Sequence, residues 1–265
     1  MAIFVAMWNN LAQLRQQYLD LNLDQVIDYE KFSMISIVYH STKIEGCSLT
    51  ETDTQLLLDK EITAKGKPLA DHLMVKDHFE AFQFVKKQAK IRRSIELIKE
   101  VAARAMKNTG GPVRTISGDF DTSKGELRKA QVMVDKKYFP DFKKVPGMLE
   151  KLVEVVDSKL PVVKGNDILK LAADFHYNLV NIHPFGDGNG RVSRLMMNYV
   201  QLYHREPLVK IFTEDRAEYI DALNQADEKE DISIFRDFIC RQQMKFYQTE
   251  IEKYKGKDKG FTMIF

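Results

Sequence analysis

The chain has 265 residues, 44% of them hydrophobic, enough to bury a core in one large domain or two small ones without disulfide or metal staples. Forty Lys and Arg against 38 Asp and Glu leave a net charge of +2, so no global field draws in nucleic acid or an anionic membrane. Cys47 and Cys240 belong to no disulfide framework or metal-spaced cluster, no stretch is long and apolar enough to span a bilayer, and the apolar residues 1–8 lack the parts of a secretory signal. The expectation is a soluble protein of the reducing cytoplasm, with no nucleic-acid or membrane partner.

No internal repeat or low-complexity tract is present, and helical periodicity dominates. Leu11, Leu14 and Tyr18 predict a helix over 8–19, and Ile27, Phe32, Ile35 and Tyr39 one over 24–39. These lead into Ser41-Thr42-Lys43-Ile44-Glu45-Gly46, which taken alone reads as a helix end with a glycine cap. Thr50 with Asp53 predicts a capping box opening a helix through about Lys60. Gly66-Lys67-Pro68 then breaks the chain before the stripe Val75, Phe79, Phe82 and Val85. The basic run 86–93 reads as a solvated helix end or linker. Ile95, Ile98, Val101, Ala102 and Ala105 mark another helix, stopped at Gly110-Gly111-Pro112.

Over 113–138 the period lapses and 131–135 is rich in β-formers, so a single β-hairpin with a mobile tip is expected. A helix follows at about 147–157, between Pro146 and Pro161. Asn166 is read as the N-cap of a helix whose Ile168, Leu169, Ala172, Ala173, His176, Leu179 and Val180 face inward. Pro184 ends it and leaves His183 at its C-terminus. The next helix, 189–204, buries Val192, Leu195, Met196 and Tyr199, and helices at 215–224 and 234–251 precede a Lys/Gly-rich tail from Lys253.

Residues 183–191 read His-Pro-Phe-Gly-Asp-Gly-Asn-Gly-Arg. His183 exchanges a proton near neutral pH, Asp187 offers a hard oxygen suited to Mg²⁺, and Gly188, Asn189 and Gly190 can turn backbone N–H groups toward an anion at a helix N-terminus. Arg191 supplies a permanent cation for phosphate oxygens. The bland alternative is a glycine turn with His183 as a helix-terminal cap. With Arg194, the segment resembles the signature of Fic-domain proteins, His-x-Phe-x-(Asp/Glu)-Gly-Asn-(Gly/Lys)-Arg-x-x-Arg, and every position of it is filled.

That resemblance implies a mainly α fold, a Fic-type helical bundle with a small β-hairpin flap. It divides the chain into N-terminal helices at 1–65 with an inhibitory motif, a Fic core with flap and signature loop at 66–227, and a C-terminal helix and tail at 228–265. It implies AMP transfer from ATP onto a Ser, Thr or Tyr hydroxyl of a target protein that the sequence does not name. His183 would take the proton of the hydroxyl, Asp187 would hold Mg²⁺, and Gly186, Gly188, Asn189, Gly190, Arg191 and Arg194 would bind the phosphates. Ser41 to Gly46 is similar to the family's inhibitory motif (Ser/Thr)-x-x-x-Glu-(Gly/Asn), which gives Ser41, Glu45 and Gly46 a role in holding the enzyme off.

The segment 125–134 is similar to the flap before the signature, where Val132, Met133 and Val134 would pair with an extended target; a purely structural hairpin is the alternative. Tyr219 and Asp227 resemble the segment flanking the nucleotide base, although the family often has Asn in place of Asp227, and Tyr219 reads equally well as core. His176 reads as a buried structural histidine, while His40, His72, His78 and His204 lack metal spacing. About 80 residues after the signature leave little room for an appended DNA-binding module. Three other functions stay open: removal of AMP with Glu45 positioning water, phosphoryl or phosphocholine transfer, against which Gly190 argues, and a non-catalytic nucleotide-dependent interaction module. Homo-oligomerisation is also open.

Overall fold

A computed structural model describes residues 2–26, 28–90, 94–134 and 137–255. The centre is a helical hairpin of α7 (Asn166–Ile182) and α8 (Asn189–His204), which pack on each other more extensively than any other pair. Their 3.6-residue stripes cause this: Leu169, Ala172, Phe175 and Leu179 on one, and Val192, Leu195, Met196 and Tyr199 on the other, are all buried. α4 (Leu69–Gln88) and α5 (Ile95–Ala105) cover α8, α6 (Val145–Lys159) covers α7, and α2 (Tyr29–Ile44) crosses α4 and reaches α8. α3 (Glu51–Lys60) opens on the expected capping box, with the Asp53 N–H donated to Thr50 Oγ1 at 3.1 Å and the Thr50 N–H donated to Asp53 Oδ2 at 3.0 Å.

α9 (Arg216–Glu228) packs on α10 (Ser233–Lys255), and α1 (Ala2–Leu19) lies along α10. One apolar cluster runs from Leu11 to Ile251 and takes residues from every part of the chain. The three segments read from the sequence therefore share one core. No helix among the described residues is long and apolar enough to cross a membrane, and Cys47 and Cys240 are free and buried.

Three sequence expectations shift. The second helix spans Tyr29–Ile44 rather than 24–39, because Leu23–Gln25 form a separate 3-10 turn and Asn22 and Asp28 take positive φ (50° and 63°) on either side of it. Phe32 is consequently exposed, while Met34, Ile35, Ile37 and Val38 are buried; Ile27 lies outside the described residues. The single hairpin over 113–138 is two separate antiparallel pairs, β1 (Pro112–Val113) with β2 (Phe120–Asp121) and β3 (Met133–Val134) with β4 (Lys137–Tyr138). Gly125, at φ 65°, closes a 3-10 turn at 122–124 that separates them. Asn166 is the first helical residue rather than the cap, and its Nδ2 donates to the Trp8 carbonyl at 2.8 Å. Of the basic run 86–93 and of the tail, residues 91–93 and 256–265 lie outside the described residues.

Candidate active site

Pro184 stops α7, and His183 closes it in the left-handed conformation (φ 51°, ψ 59°), its N–H donated to the Leu179 carbonyl at 3.1 Å. The chain then turns through 184–188 and enters α8 from Gly188, at φ 79°. A Cβ at Gly188 would meet Met106 Sδ at 2.8 Å, so both conformation and space require glycine there. The unpaired N–H groups and positive dipole end of α8 thus open onto the loop that carries His183 and Asp187.

The His183 imidazole is held neutral. Burial lowers its pKa to about 4; Arg128 and Lys137 push the same way, while the Val180 carbonyl and Asp187 oppose them. Its ring lies 4.0 Å from that of Phe139, centroid to centroid, and its Nδ1 is buried without a partner in good hydrogen-bonding geometry. Asp187 is exposed, and its Oδ1 takes the Gly188 N–H at 2.5 Å. One carboxylate at the mouth of an anion cradle fits Mg²⁺, which is commonly bound by one or two carboxylates together with substrate phosphates. No group of three or more acidic, His or Cys side chains suited to a metal occurs among the described residues.

Arg194 and Glu45 meet across 149 residues. Arg194 Nη2 donates to Glu45 Oε1 at 2.5 Å and to the Ser41 carbonyl at 2.9 Å, and Nε donates to Ser41 Oγ at 2.8 Å. Burial opposes the charge of Glu45, but the charge and hydrogen bond of Arg194 outweigh it and hold the carboxyl below its ordinary range. Arg194 is driven the other way, its pKa raised by Glu45 against the cost of burial. Glu45 is the C-cap of α2; Gly46, at φ 96°, donates to the Lys43 carbonyl and Cys47 to the Thr42 carbonyl, the Schellman pattern. The glycine-capped helix end and the ion pair are the same feature. A Cβ at Gly190 would lie 2.5 Å from Glu45 Oε1, so the carboxylate rests on the first turn of α8, inside the anion cradle.

Several side chains expected at the phosphates are turned elsewhere. Asn189 is buried, its Oδ1 accepting the Phe185 N–H at 3.0 Å and its Nδ2 donating to the Phe185 carbonyl at 2.9 Å, so it closes the loop. Arg191 is 3% exposed and turned back on α5, donating to the Ala105 carbonyl at 3.0 Å and to Met106 Sδ at 2.8 Å. Tyr219 is core: its hydroxyl lies 3.0 Å from His176 Nε2 and accepts from Arg194 at 3.5 Å, bracing Arg194 from behind. His176 is buried in that cluster and stacks on Phe235, as its structural reading requires. Asp227 pairs at 3.0 Å with Lys137, whose Nζ also donates to Asn181 Oδ1 at 2.7 Å. It therefore ties β4 to α9 and α7 rather than standing free beside a base. Gly186 packs under Phe120.

Val132 is half-buried and Met133 and Val134 exposed; β3 pairs with β4 alone among the described residues, which leaves its other edge open. Sequence reasoning missed Phe139, Lys137 and Arg128 as site residues, although Arg128 lies in the segment singled out for the flap. A cavity of about 600 Å³ lined by Tyr29, Ser36, Lys210 and Phe246 lies between α2 and α10 and contains no signature residue.

Residues 93–201 match the model of the Fic/DOC family. The protein adenylyltransferase Fic of Aedes aegypti is 32% identical over 213 residues, 80% of this chain and 40% of that protein. The chain thus spans less than half the length of that curated relative. Among solved structures, Fic-1 from C. elegans superposes with a TM-score of 0.78 at 26% identity, covering 97% of this chain and 74% of that one. A Fic-domain-containing signaling protein from Bacteroides thetaiotaomicron gives 0.77 at 24% identity, covering 93% and 98%. The 183–194 segment thus lies inside the stretch that matches the Fic/DOC family model, and the chain shares the fold of these solved Fic-domain structures.

Proposed function

We propose that this chain is a protein adenylyltransferase that moves AMP from ATP to a hydroxyl of a target protein and is held off by Glu45. One observation carries the reading: a histidine kept neutral, with its pKa near 4, shares a six-residue loop with Asp187 and the open N-terminus of α8. His183 takes the proton of the hydroxyl as that oxygen attacks the α-phosphorus; the bond to the α–β bridging oxygen breaks and pyrophosphate leaves. Mg²⁺ held by Asp187 would neutralise charge on the bridging phosphates. The amides of Gly188 to Gly190 stabilise the phosphoryl oxygens, and Arg194, once free of Glu45, clamps the outer phosphate. Asn189 and Arg191 serve from behind by holding the loop.

The three chain segments divide labour within one core: lock in 1–65, chemistry in 66–227, support in 228–265. The free, buried cysteines fit the cytoplasm. Intact-mass measurement after incubation with ATP and Mg²⁺ tests the proposal. The expected product carries one AMP on the chain or an added protein, and His183→Ala abolishes the increment while ATP still binds. A phosphate-sized increment, or undiminished modification by His183→Ala, refutes it. The ionised Glu45, about a third exposed, also suits positioning of water for AMP removal; loss of AMP from pre-modified protein, abolished by Glu45→Gly, identifies that activity.

A further inference from the structure

Arg128 is 1% exposed, and every hydrogen bond its side chain makes to a described residue goes to a backbone carbonyl. Nε donates to His183 O at 2.7 Å, Nη1 to Ala130 O at 2.7 Å and Nη2 to Pro140 O at 2.6 Å. Its own backbone N–H donates to Pro184 O at 2.9 Å. Ala130 and Pro140 flank the β3–β4 flap on its two sides, so one guanidinium grips the entry stem, the exit stem and the catalytic loop. Burial lowers its pKa, and Asp141 acts on it only at a distance. A buried cation with three carbonyl acceptors is an expensive way to fold a loop, which points to a demand for geometry.

We infer that Arg128 is a positioning residue that fixes the flap and His183 as one rigid unit, so that an acceptor laid along β3 arrives in line with the base. The inference deepens the adenylyl-transfer reading and rests on it. Two further observations fit. His183 holds a positive φ of 51°, a conformation that a non-glycine residue keeps only when its surroundings over-determine it, and Arg128 grips its carbonyl. Phe139, the residue before Pro140 on the exit stem, packs its ring against that of His183 at a tilt of 31°. Movement of the stem therefore moves the ring's support. Lysine retains the charge but, with a single nitrogen, cannot reach three divergent carbonyls.

The test compares Arg128→Lys and Arg128→Met in a Glu45→Gly parent. It reads affinity for a non-cleavable ATP analogue, kcat for AMP transfer, amide exchange in the flap, and His183 titration by NMR. Because Arg128 does not face the cradle, Arg128→Lys should keep nucleotide affinity within about twofold while kcat falls on the order of 10²-fold. The amides of Val134, Lys137 and Phe139, which face the hairpin ladder, should exchange roughly tenfold faster. The charged groups acting on His183 are Arg128, Lys137 and Asp187. Arg128→Met should therefore move the His183 titration upward, while Arg128→Lys leaves it nearly in place. Arg128→Lys with parental kcat and parental flap exchange overturns the inference, as does equal loss of nucleotide affinity and transfer. If the methionine variant does not fold, the lysine variant still decides. If the Glu45→Gly parent transfers no AMP, the functional reading fails, while flap exchange and the His183 titration still judge Arg128.

Discussion

Glu45→Gly removes one carboxylate from two jobs, and the structure sets the size of each effect. Arg194 has a side chain 5% exposed and Glu45 one 34% exposed. Breaking a fully buried pair costs about 3–5 kcal/mol and an exposed one about 0–1 kcal/mol. Arg194 keeps two bonds to Ser41, so the stability loss should be near the lower bound, about 1–2 kcal/mol, or roughly 3–6 °C in Tm. Against this modest loss the proposed function sets a large expected gain in rate. While Glu45 holds Arg194 and rests over Gly190, an outer phosphate cannot occupy the cradle, and a triphosphate displaced by about 1 Å reacts on the order of 10²-fold slower. Labelled-AMP incorporation should rise by that factor in Glu45→Gly. Glu45→Gln, which keeps the bulk over Gly190 but not the charge, should fall between it and the parent chain. Glu45→Gly/Arg194→Ala should lose the gain, because lock and clamp go together. A Glu45→Gly protein that is folded, binds ATP and is no faster than the parent chain refutes the reasoning.

The base should make activity insensitive to pH over the physiological range: with the His183 pKa near 4 in the free protein, kcat/KM should stay level from pH 8 to about 5.5 and fall only toward 4, and a fall centred at 6.5 would contradict it. The same shift makes the fold acid-sensitive. Above pH 6.5 His183 is neutral in both states; as pH falls from 6.5 to about 4 the unfolded chain takes the proton first and stability drops by up to about 3 kcal/mol. Urea unfolding at pH 7 and pH 5 should show a smaller loss in His183→Asn than in the parent chain. Asn189→Ala should cost about 2 kcal/mol by stranding the Phe185 N–H and carbonyl, measured as a lower denaturation midpoint; an unchanged midpoint would return Asn189 to a phosphate-binding role. In the flap, Phe139 N–H donates to Val132 O, so alternation along the ladder points the Met133 N–H away from β4 and the Val134 N–H toward it. Met133→Pro should therefore impair modification of a protein target without loss of ATP binding, whereas Val134→Pro should disrupt the hairpin itself. Equal transfer by the Met133→Pro variant would exclude docking along that edge.

What could be read from the sequence follows how local each feature is. His183, Asp187, Gly188, Gly190 and Arg194 lie within 12 residues, and a proline stop followed by a glycine N-cap is enough to aim a helix N-terminus at a histidine. The α7 and α8 stripes were equally plain because their period runs unbroken. Direction was not legible where a side chain chooses between ligand and backbone. Asn189 and Arg191 have the right chemistry for phosphate, yet the buried carbonyls of Phe185 and Ala105 need partners and take them. Arg128 was hidden for the same reason at longer range: its acceptors are backbone carbonyls up to 55 residues away, which no side-chain pattern announces. The second helix was misplaced because Asn22 and Asp28 adopt positive φ without glycine.

Gly190 joins the two motifs into one device. In the signature, a glycine at this position lets backbone amides approach a phosphate; in the structure, the absent side chain is also the seat of the Glu45 carboxylate, 2.5 Å from where a Cβ would stand. Any larger residue there would expel Glu45 and crowd the anion cradle together. On the proposed function, a phosphate and the Glu45 carboxylate would be alternative fillings of one space, each charge-matched to the same helix end and the same Arg194. It follows that release does not require α2 to unfold. The Schellman turn at Gly46 and the Ser41 bonds to Arg194 can persist, and a rotation of the Glu45 side chain, about a third exposed already, exchanges one anion for another.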